Sequence, residues 1–425
     1  MTVEDMMRQQ AMDIFMAGVR AADPANAIVK NWHQASKQLA AAKSIHVIGL
    51  GKAAVPMTRK ALELLPAEKL SHVLAITNYE NVPEAPEFTV FPAGHPVPDE
   101  NGVKAAETVI SLARSAGHEE LLLLLLSGGG SALMPAPLPG LTLDDKKRIT
   151  DLLLKSGADI QEMNTVRRSI SQLKGGGLAQ LAHPAKVVAF ILSDVPGDSL
   201  PDIASGPTVQ GSRNSNSAVN ILDKYNLVVD LPSHMTEVIQ MTRALDDVRA
   251  DVTNILIGSN RMSVAAMEQA CRPMDASVMT SWLEGDVDDA AGEIIDSMFD
   301  AGPEPCAIVC GGETAVRVRG DGLGGRNQEL ALRLAARLDG VHVGREWVFL
   351  SGGTDGRDGP TDAAGGIVDT NTIRRFKSAN VDLNSYLMRN DSYHALQAID
   401  GLVMTSATGT NVADLQILLL GPLAG

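Results

Sequence analysis

The chain has 425 residues, of which 45% are hydrophobic, 20% charged and 3% aromatic, and its formal net charge is −15. This composition is that of a folded globular protein rather than a disordered one, and the length predicts two or three domains. The negative charge, the lack of Lys/Arg runs and the scarcity of aromatic residues argue against binding to nucleic acid or to an anionic membrane.

The beginning of the chain has no basic segment followed by an apolar one, so we expect no signal peptide. The longest purely aliphatic run, residues 121–126, is far shorter than a membrane span. We therefore expect a cytoplasmic protein. Cys271, Cys306 and Cys310 have no partners that complete a zinc set, and we interpret them as small buried apolar residues.

Short apolar runs that end in Gly-rich polar turns recur along the chain. Apolar runs without alternation are typical of strands buried on both faces. The runs cover residues 45–48, 121–126, 187–192, 255–257, 307–310 and 347–350, and the turns cover 49–52, 127–131, 193–198, 258–261, 311–314 and 351–359.

Segments with helical periodicity lie between these runs. Residues 143–156 are predicted to form a helix with a start signal at Thr142 and Asp145, and residues 328–338 form another. Alternating strands and helices predict an α/β fold with a mostly parallel sheet and helices on both faces. Ligands bind such sheets beyond the carboxyl ends of the strands, where the Gly-rich turns gather, although turns of this type also use glycine for structural reasons alone.

A polar segment that contains Pro and Gly, residues 205–216, is the most linker-like part of the chain. A less distinctive region follows it, to about residue 251. We expect an N-terminal Rossmann-like domain over residues 1–240 and a C-terminal α/β domain over residues 241–425.

The turn after the first strand places Lys52 at the start of a helix. Gly49, Gly51 and Ala54 match the dinucleotide fingerprint G-x-G-x-x-A, but the second strand ends in Asn78 rather than in the acid that binds a ribose. A lysine at a helix start favours a phosphate or carboxylate site. The alternative is an exposed lysine with no ligand.

The turn at residues 127–131 contains three consecutive glycines between two serines. Main-chain N–H groups without side chains beside them can approach phosphate oxygens closely. The interpretation as a phosphate-binding loop competes with that of a merely flexible turn. The residues are Ser127, Gly128, Gly129, Gly130 and Ser131.

Two acidic clusters lie at predicted strand ends. Asp194 and Asp198 flank a Pro-Gly turn, and carboxylates in such loops are natural Mg²⁺ ligands. Asp355, Asp358 and Asp362 form the second cluster. A solvated acidic loop is the alternative for each.

Arg326 and His95 are further candidates. Arg326 follows a glycine stretch at a helix start, where its guanidinium would bind a carboxylate or a phosphoryl group in bidentate fashion, or would form a structural pair with a carboxylate. His95 lies in a loop with two prolines and either contacts a substrate or has a structural role.

Eight motifs in register resemble the glycerate 2-kinase family, whose C-terminal part is called the MOFRL domain and whose members long carried a provisional hydroxypyruvate reductase label. They span nearly the whole chain: VIGLGKAA (47–54), GHPVPDENG (94–102), LSGGGSAL (126–133), LKGGGLA (173–179), ILSDVPGDSLPDIASGPT (191–208), CGGETAV (310–316), GGRNQELAL (324–332) and LSGGTDGRDGPTDAAGG (350–366). The resemblance implies two three-layer α/β/α domains around a shared cleft, with the MOFRL-like region at about residues 305–420.

The resemblance also implies transfer of a phosphoryl group from ATP, with Mg²⁺, to the 2-hydroxyl of D-glycerate. We expect Lys52, Arg326 and Asp355 to be catalytic, with Asp355 as the proton acceptor, and Asp194 and Asp198 to bind Mg²⁺. The residues expected to bind the nucleotide are Gly49, Gly51, Ser127, Gly128, Gly129, Gly130, Ser131, Lys174, Asn260 and Glu313.

Two other functions compete with this one. An NAD(P)H-dependent hydroxypyruvate reductase would use the G-x-G-x-x-A turn, but it has no need for acidic loops suited to Mg²⁺ and lacks the expected acid after the second strand. The other alternative is a non-catalytic module that binds small anions. The number of separate loops with polar groups in this chain exceeds what binding alone requires. The oligomeric state is left open, with a homodimer as one alternative.

Overall fold

The computed structural model describes residues 2–211, 215–241 and 249–423 of the chain. This part forms two compact units, each built on one sheet. The first unit runs from Pro24 to Ile257, and the second combines the residues up to Asp23 with those from Gly258 onward. The predicted α/β architecture is confirmed.

The strands of the described residues follow the predicted apolar runs and are numbered in chain order. They are β1 (Ser44–Leu50), β2 (Leu70–Asn78), β3 (Thr89–Ala93), β4 (Glu120–Leu126), β5 (Lys186–Leu192), β6 (Val252–Gly258), β7 (Ser277–Asp286), β8 (Cys306–Ala315), β9 (Trp347–Gly353), β10 (Gly365–Asp369), β11 (Leu402–Val403) and β12 (Asp414–Leu420).

The α-helices connect these strands and cover the sheets. They are α1 (Val3–Ala21), α2 (Pro24–Asn31), α3 (Ser36–Ala41), α4 (Ala54–Leu64), α5 (Glu100–Ser115), α6 (Gly130–Leu133), α7 (Leu143–Lys155), α8 (Ile160–Ser169), α9 (Gly177–Ala182), α10 (Ser215–Lys224), α11 (Ser233–Met241), α12 (Asn260–Cys271), α13 (Val287–Asp300), α14 (Arg326–Arg337), α15 (Thr372–Ser378), α16 (Leu383–Met388) and α17 (Ser392–Gln397).

The sheet of the first unit has the order β3-β2-β1-β4-β5-β6 among the described residues. Strands β1 to β5 pair in parallel, as predicted. Leu50 lies opposite Ile76 on one side and Leu126 on the other, and Leu126 lies opposite Ile191. The carboxyl ends of these strands are therefore level, and the turns that follow them lie along one edge.

The sheet of the second unit corrects the expectation of a mostly parallel arrangement. Its order is β11-β10-β9-β12-β8-β7, and only β7 and β8 pair in parallel among the described strands. Residues 354–364 join β9 to β10 without a helix, and a connection this short favours antiparallel pairing over a parallel crossover. Strand β12 runs between β8 and β9, antiparallel to both.

The core of the first unit lies on both faces of its sheet. Leu122, Leu124 and Leu126 of β4 belong to an apolar cluster that includes buried residues of α5 and α9. On the other face Phe190 stacks on Trp32, with ring centroids 5.7 Å apart. Burial of both faces explains why the strands read as continuous apolar runs.

The second unit also buries both faces of its sheet. Leu418 and Leu420 pack with α13 and α14, whereas residues at alternate positions of β12 pack with α1 and α12. Cys306 and Cys310 are buried in the first of these clusters, on one face of β8 as predicted. The third cysteine, Cys271, is buried in the other cluster.

The compact units divide the chain differently from the predicted boundary between residues 240 and 241. Helix α1 belongs to the second unit, because its Phe15 is fully buried and packs beside Gly352 of β9. The linker-like segment lies within the first unit: Thr208 donates to Asn254 (2.7 Å) and Gln210 to the carbonyl of Ala250 (2.7 Å). Residues 212–214 and 242–248, within the predicted boundary zone, lie outside the described residues.

The helix signals read from the sequence are confirmed. Helix α7 begins after Thr142, whose hydroxyl accepts a hydrogen bond from the N–H of Asp145 (3.1 Å) in a capping box. Helix α14 begins at Arg326, two residues before the predicted start at Gln328. No helix within the described ranges is both long enough and apolar enough to cross a membrane.

Candidate functional site

The predicted site residues fall into two groups, one in each unit. The first, here called the loop cluster, consists of Lys52, His95, residues 127–131 and Asp194. It lies at the carboxyl edge of the first sheet, in the turns after β1, β3, β4 and β5. The parallel register places these turns side by side, as the sequence predicts.

Three side chains lie directly against the glycines of the 127–131 loop. A Cβ atom on Gly128 would overlap Oδ2 of Asp194 and lie 2.7 Å from its Cγ. On Gly129 a Cβ would lie 3.1 Å from Cδ2 of His95 and 3.5 Å from Cγ of Lys52. The absence of side chains at these glycines therefore lets a carboxylate, an imidazole and a lysine converge on one loop.

Ser127 has a structural contact inside the loop cluster. Its buried hydroxyl accepts a hydrogen bond from the N–H of Ala53 (3.0 Å), and its carbonyl carbon would lie 2.7 Å from a Cβ on Gly51, whose φ is +122°. The two turns thus pack against each other, and packing alone accounts for glycine at position 51. A role of Ser127 or of Gly49 and Gly51 in nucleotide binding stays a prediction.

Ser131 lies among cationic groups. Its hydroxyl oxygen is 2.6 Å from Nζ of Lys174, 2.7 Å from Nη2 of Arg167 and 2.8 Å from Oγ of Ser205. Lys174 also donates to the carbonyl oxygen of Ser131 (2.8 Å). Burial, together with neighbouring positive charge that includes Arg167, holds the pKa of Lys174 well below its ordinary value.

His95 shares a poorly solvated environment with Lys52. Burial lowers the pKa of His95 below its ordinary value, and the positive charge of Lys52 lowers it further. Lys52 itself is held at its main chain, where its N–H donates to the carbonyl of Gly128 (2.9 Å) and its carbonyl accepts from Asn81 (2.9 Å). The side chain of Lys52 is half-buried and extends from this anchored turn past Gly129.

Asp194 and Asp198 are half-buried at the end of β5. No group of three or more His, Cys, Asp or Glu side chains suited to hold a metal ion occurs among the residues that the structure describes. A magnesium ion that arrives with a nucleotide needs only one or two protein carboxylates, because phosphates and water supply its other ligands. The carboxylate of Asp194, placed against Gly128, fits such an ion, and the Mg²⁺ assignment of both residues stays a prediction.

The second group, here called the arginine cluster, consists of Glu313, Arg326, Asp358 and Asp414. Arg326 donates from Nε and Nη2 to the two carboxylate oxygens of Asp414 (2.6 and 3.0 Å) and from Nη1 to Glu313 (2.6 Å). Burial disfavours the charged guanidinium, yet the Asp414 carboxylate raises the pKa of Arg326 above its ordinary value. Of the two roles that the sequence allows for Arg326, the structural pair with a carboxylate is therefore formed, and its partner is Asp414.

Asp358 caps the start of α14 next to Arg326. Its carboxylate accepts hydrogen bonds from the N–H groups of Asn327 (3.1 Å) and Gln328 (2.7 Å). Burial raises the pKa of Asp358 to about 7, although these hydrogen bonds oppose the shift. Asp358 thus positions the helix that carries Arg326.

The remaining predicted residues of the second unit make hydrogen bonds outside the arginine cluster or to its main chain. Asp355 is half-buried and accepts a hydrogen bond from the N–H of Arg357 (3.0 Å), and Asp362 accepts one from Tyr393 (2.7 Å). Asn260 uses its amide nitrogen for the carbonyls of Val412 and Asp414, both at 2.8 Å. The catalytic role of Asp355 and the nucleotide roles of Asn260 and Glu313 stay predictions.

Sequence reasoning missed Asp414, which directly precedes residues 415–420, a segment that is apolar except for Gln416. That segment indicates a strand, but the first residue of a strand is not expected at a site formed by the carboxyl ends of parallel strands. Because β12 is antiparallel to β8 and β9, Asp414 lies opposite Gly312 and Gly353, near the ends of those strands. Arg167 was also missed, and His95 was left undecided.

Known protein families and curated relatives match both the N-terminal and the C-terminal part of the chain. A family model described as a domain of unknown function (DUF4147) matches residues 10–240, and the MOFRL family model matches residues 306–414. The D-glycerate 2-kinase of Thermotoga maritima is 38% identical over 98% of this chain and 99% of the relative. The glycerate 2-kinase of Pyrococcus horikoshii is 37% identical over 96% of this chain and 98% of the relative.

A solved structure extends this similarity to the fold. The crystal structure of the glycerate kinase from Thermotoga maritima superimposes with a TM-score of 0.88 and 37% identity, covering 98% of this chain and all of that one. The similarity in sequence and structure extends over nearly the full length of both chains, so no large segment of this chain lies outside the match. The chain therefore belongs to the MOFRL-containing family of the glycerate 2-kinases.

Proposed function

We propose that the chain transfers the γ-phosphoryl group of ATP to the 2-hydroxyl of D-glycerate and releases 2-phosphoglycerate and ADP. The observation that carries this proposal is the loop cluster, in which Lys52, His95 and Asp194 lie against two glycines of the 127–131 loop at the carboxyl edge of a parallel sheet. Relatives named glycerate 2-kinase that match nearly the whole chain supply the substrate class.

The loop cluster has the groups that a phosphate needs. Phosphoryl transfer depends mainly on positioning and on neutralising charge, and less on covalent chemistry by the protein. In this proposal the 127–131 loop binds phosphate oxygens of ATP through main-chain N–H groups. Lys52 then stabilises negative charge on the transferring group.

Magnesium enters this proposal with the nucleotide. Asp194 and Asp198 would hold the ion, which neutralises phosphate charge when bound. Asp194 lies against the glycine loop, so its carboxylate is placed for an ion at the loop. No other metal ligand is required of the protein.

In the second unit, Arg326 and Asp355 have the proposed roles of anion ligand and proton acceptor. Three of the five N–H groups of Arg326 bind Asp414 and Glu313, which leaves two for an anionic substrate group. In the reaction, the 2-hydroxyl oxygen bonds to the γ-phosphorus while the bond from phosphorus to ADP breaks. The hydroxyl proton passes to Asp355.

The test is a coupled assay with D-glycerate, MgATP, enolase, pyruvate kinase and lactate dehydrogenase, without phosphoglycerate mutase. Enolase accepts the 2-phosphate and not the 3-phosphate, so oxidation of NADH beyond an enolase-free control supports both the activity and the position. If only the enolase-free control gives a signal, the enzyme phosphorylates another position or hydrolyses ATP, and the proposal fails. If neither gives a signal, hydroxypyruvate with NADH tests the reductase alternative.

A further inference from the structure

Arg167 lies near the end of α8 and points to the 127–131 loop. Its Nη2 donates to the hydroxyl of Ser131 (2.7 Å) and its Nη1 to the side-chain carbonyl of Asn164 (3.3 Å). Both acceptors are neutral. Within the described residues no Asp or Glu oxygen lies within 4 Å of Arg167, whereas its neighbour Arg168 pairs with Asp202 at 3.1 Å.

The position of Arg167 is electrostatically unfavourable in the protein alone. The side chain is half-buried, and this burial lowers the pKa of Arg167 below its ordinary value. Nζ of Lys174 contacts the same hydroxyl of Ser131, which brings a second basic side chain to one oxygen atom. Like charges that gather in a poorly solvated place raise the free energy of the protein unless an anion joins them.

Arg167 also retains hydrogen-bonding capacity. A guanidinium carries five N–H donors, and the hydrogen bonds of Arg167 to the described residues use two of them. Arg167 and Ser131 are both half-buried, so a small solute can reach them. The free donors have the planar arrangement that suits a carboxylate or a phosphate.

We propose that Arg167, together with Lys174 and Ser131, forms an oxyanion-binding site that holds a carboxylate or phosphate group of a substrate. Binding of the anion neutralises the positive charge of Arg167 and fills the donors of its guanidinium that Ser131 and Asn164 do not use. The identification of the anion with a group of D-glycerate or ATP rests on the proposed function. The existence of an anion-binding site at Arg167 does not depend on that function.

The first experiment measures binding without catalysis. Isothermal titration with inorganic phosphate and with D-glycerate compares the wild type with Arg167→Met and Arg167→Lys. Arg148→Gln is the matched control, because Arg148 is an exposed arginine of the same unit that donates to the carbonyl of Asp230 (3.1 Å). We expect Arg167→Met to weaken binding of at least one anion by about tenfold or more, Arg167→Lys to weaken it less, and the control to bind as the wild type does.

The second experiment identifies the source of the anion through steady-state kinetics. A rise in KM for D-glycerate with an unchanged KM for ATP assigns the site to the substrate carboxylate. A rise in KM for ATP with an unchanged KM for D-glycerate assigns the site to a phosphate group of the nucleotide. If neither KM changes and neither anion binds more weakly to Arg167→Met, the proposal is overturned, even if kcat falls.

Two controls keep the result interpretable. Circular dichroism and thermal unfolding show whether each variant is folded, and Arg167→Lys replaces Arg167→Met in the comparison if the methionine variant does not fold. If the wild type fails to phosphorylate D-glycerate, the proposed function fails, yet loss of phosphate binding in the variant still supports the site. An inactive wild type that binds neither anion overturns both.

Discussion

Asp414 and Arg326 are 88 residues apart in sequence and are joined by two hydrogen bonds, from Nε and Nη2 to the two oxygens of one carboxylate. The Asp414 side chain is 1% exposed and the Arg326 side chain 33%, so one end of the pair is fixed in the core while the guanidinium reaches the surface. A bidentate pair restricts the rotation of the guanidinium. Asp414 therefore determines the direction in which Arg326 presents its remaining N–H groups.

We predict that Asp414→Asn lowers kcat on the order of 10²-fold, because Arg326 loses the partner that orients it. It should also destabilise the fold by about 1–3 kcal/mol, because the side-chain amide of Asn cannot accept both N–H groups of Arg326, which keeps Glu313 as a partner. Urea unfolding and turnover of D-glycerate measure the two effects. Glu313→Gln is the control for stability, because Glu313 is 46% exposed and its loss should cost about 1 kcal/mol or less. Wild-type turnover by Asp414→Asn would remove the positioning role.

We predict that Gly128→Ala impairs activity while the protein stays folded. The new Cβ would overlap the carboxylate of Asp194, so Asp194 must move away from the loop. If Asp194 holds the Mg²⁺ of the nucleotide, KM for MgATP rises about tenfold or more. The comparison is with Gly117→Ala, where the nearest atom to an added Cβ is 3.8 Å away and wild-type kinetics are expected. If both variants have the same KM for MgATP, Asp194 has no role in nucleotide binding.

We predict that Lys52→Met lowers kcat by roughly 10²–10³-fold with little change in the melting temperature. The reason is that the lysine side chain passes Gly129 in the loop cluster, where charge develops in the proposed reaction. Lys43→Met serves as the control: Lys43 is 72% exposed and precedes the amino end of β1, at the opposite edge of the sheet. If both variants turn over D-glycerate equally fast, Lys52 has no catalytic role.

Asp358 gives a prediction for the pH dependence of stability. Its pKa is about 7 in the folded protein and ordinarily 3.8, so between these values the folded state holds a proton that the unfolded state has lost. The contribution of Asp358 to the free energy of unfolding therefore falls as pH rises from about 4 to 7 and is constant above that range.

Asp358→Asn should remove this decline, so that the variant gains stability relative to the wild type as pH increases. The measurement is the free energy of unfolding in urea at pH 5 and at pH 7.5 for both proteins. Asp321→Asn, which changes an exposed acid, should keep the wild-type dependence on pH. Parallel curves for the wild type and Asp358→Asn would contradict the raised pKa.

The loop cluster was predictable because its residues follow a rule that is local in sequence. Lys52, Ser131 and Asp194 each come within a few residues of the end of an apolar run, and parallel strands bring such positions to one edge. The roles within the turns were less predictable. The hydroxyl of Ser127 accepts a hydrogen bond from the N–H of Ala53, 74 residues away in sequence, and this contact depends on how the two turns pack.

The sequence by itself determined the α/β class, most strand and helix positions and the residues of the glycine loops, because apolar periodicity and turn chemistry are local properties. Tertiary structure alone decided three other features. Helix α1 packs on the second sheet, Arg167 reaches Ser131, and Asp414 pairs with Arg326. Each depends on strand direction or on contacts between distant segments. Local sequence patterns do not show which neighbour a strand or helix packs against, so these contacts are visible only in the folded chain.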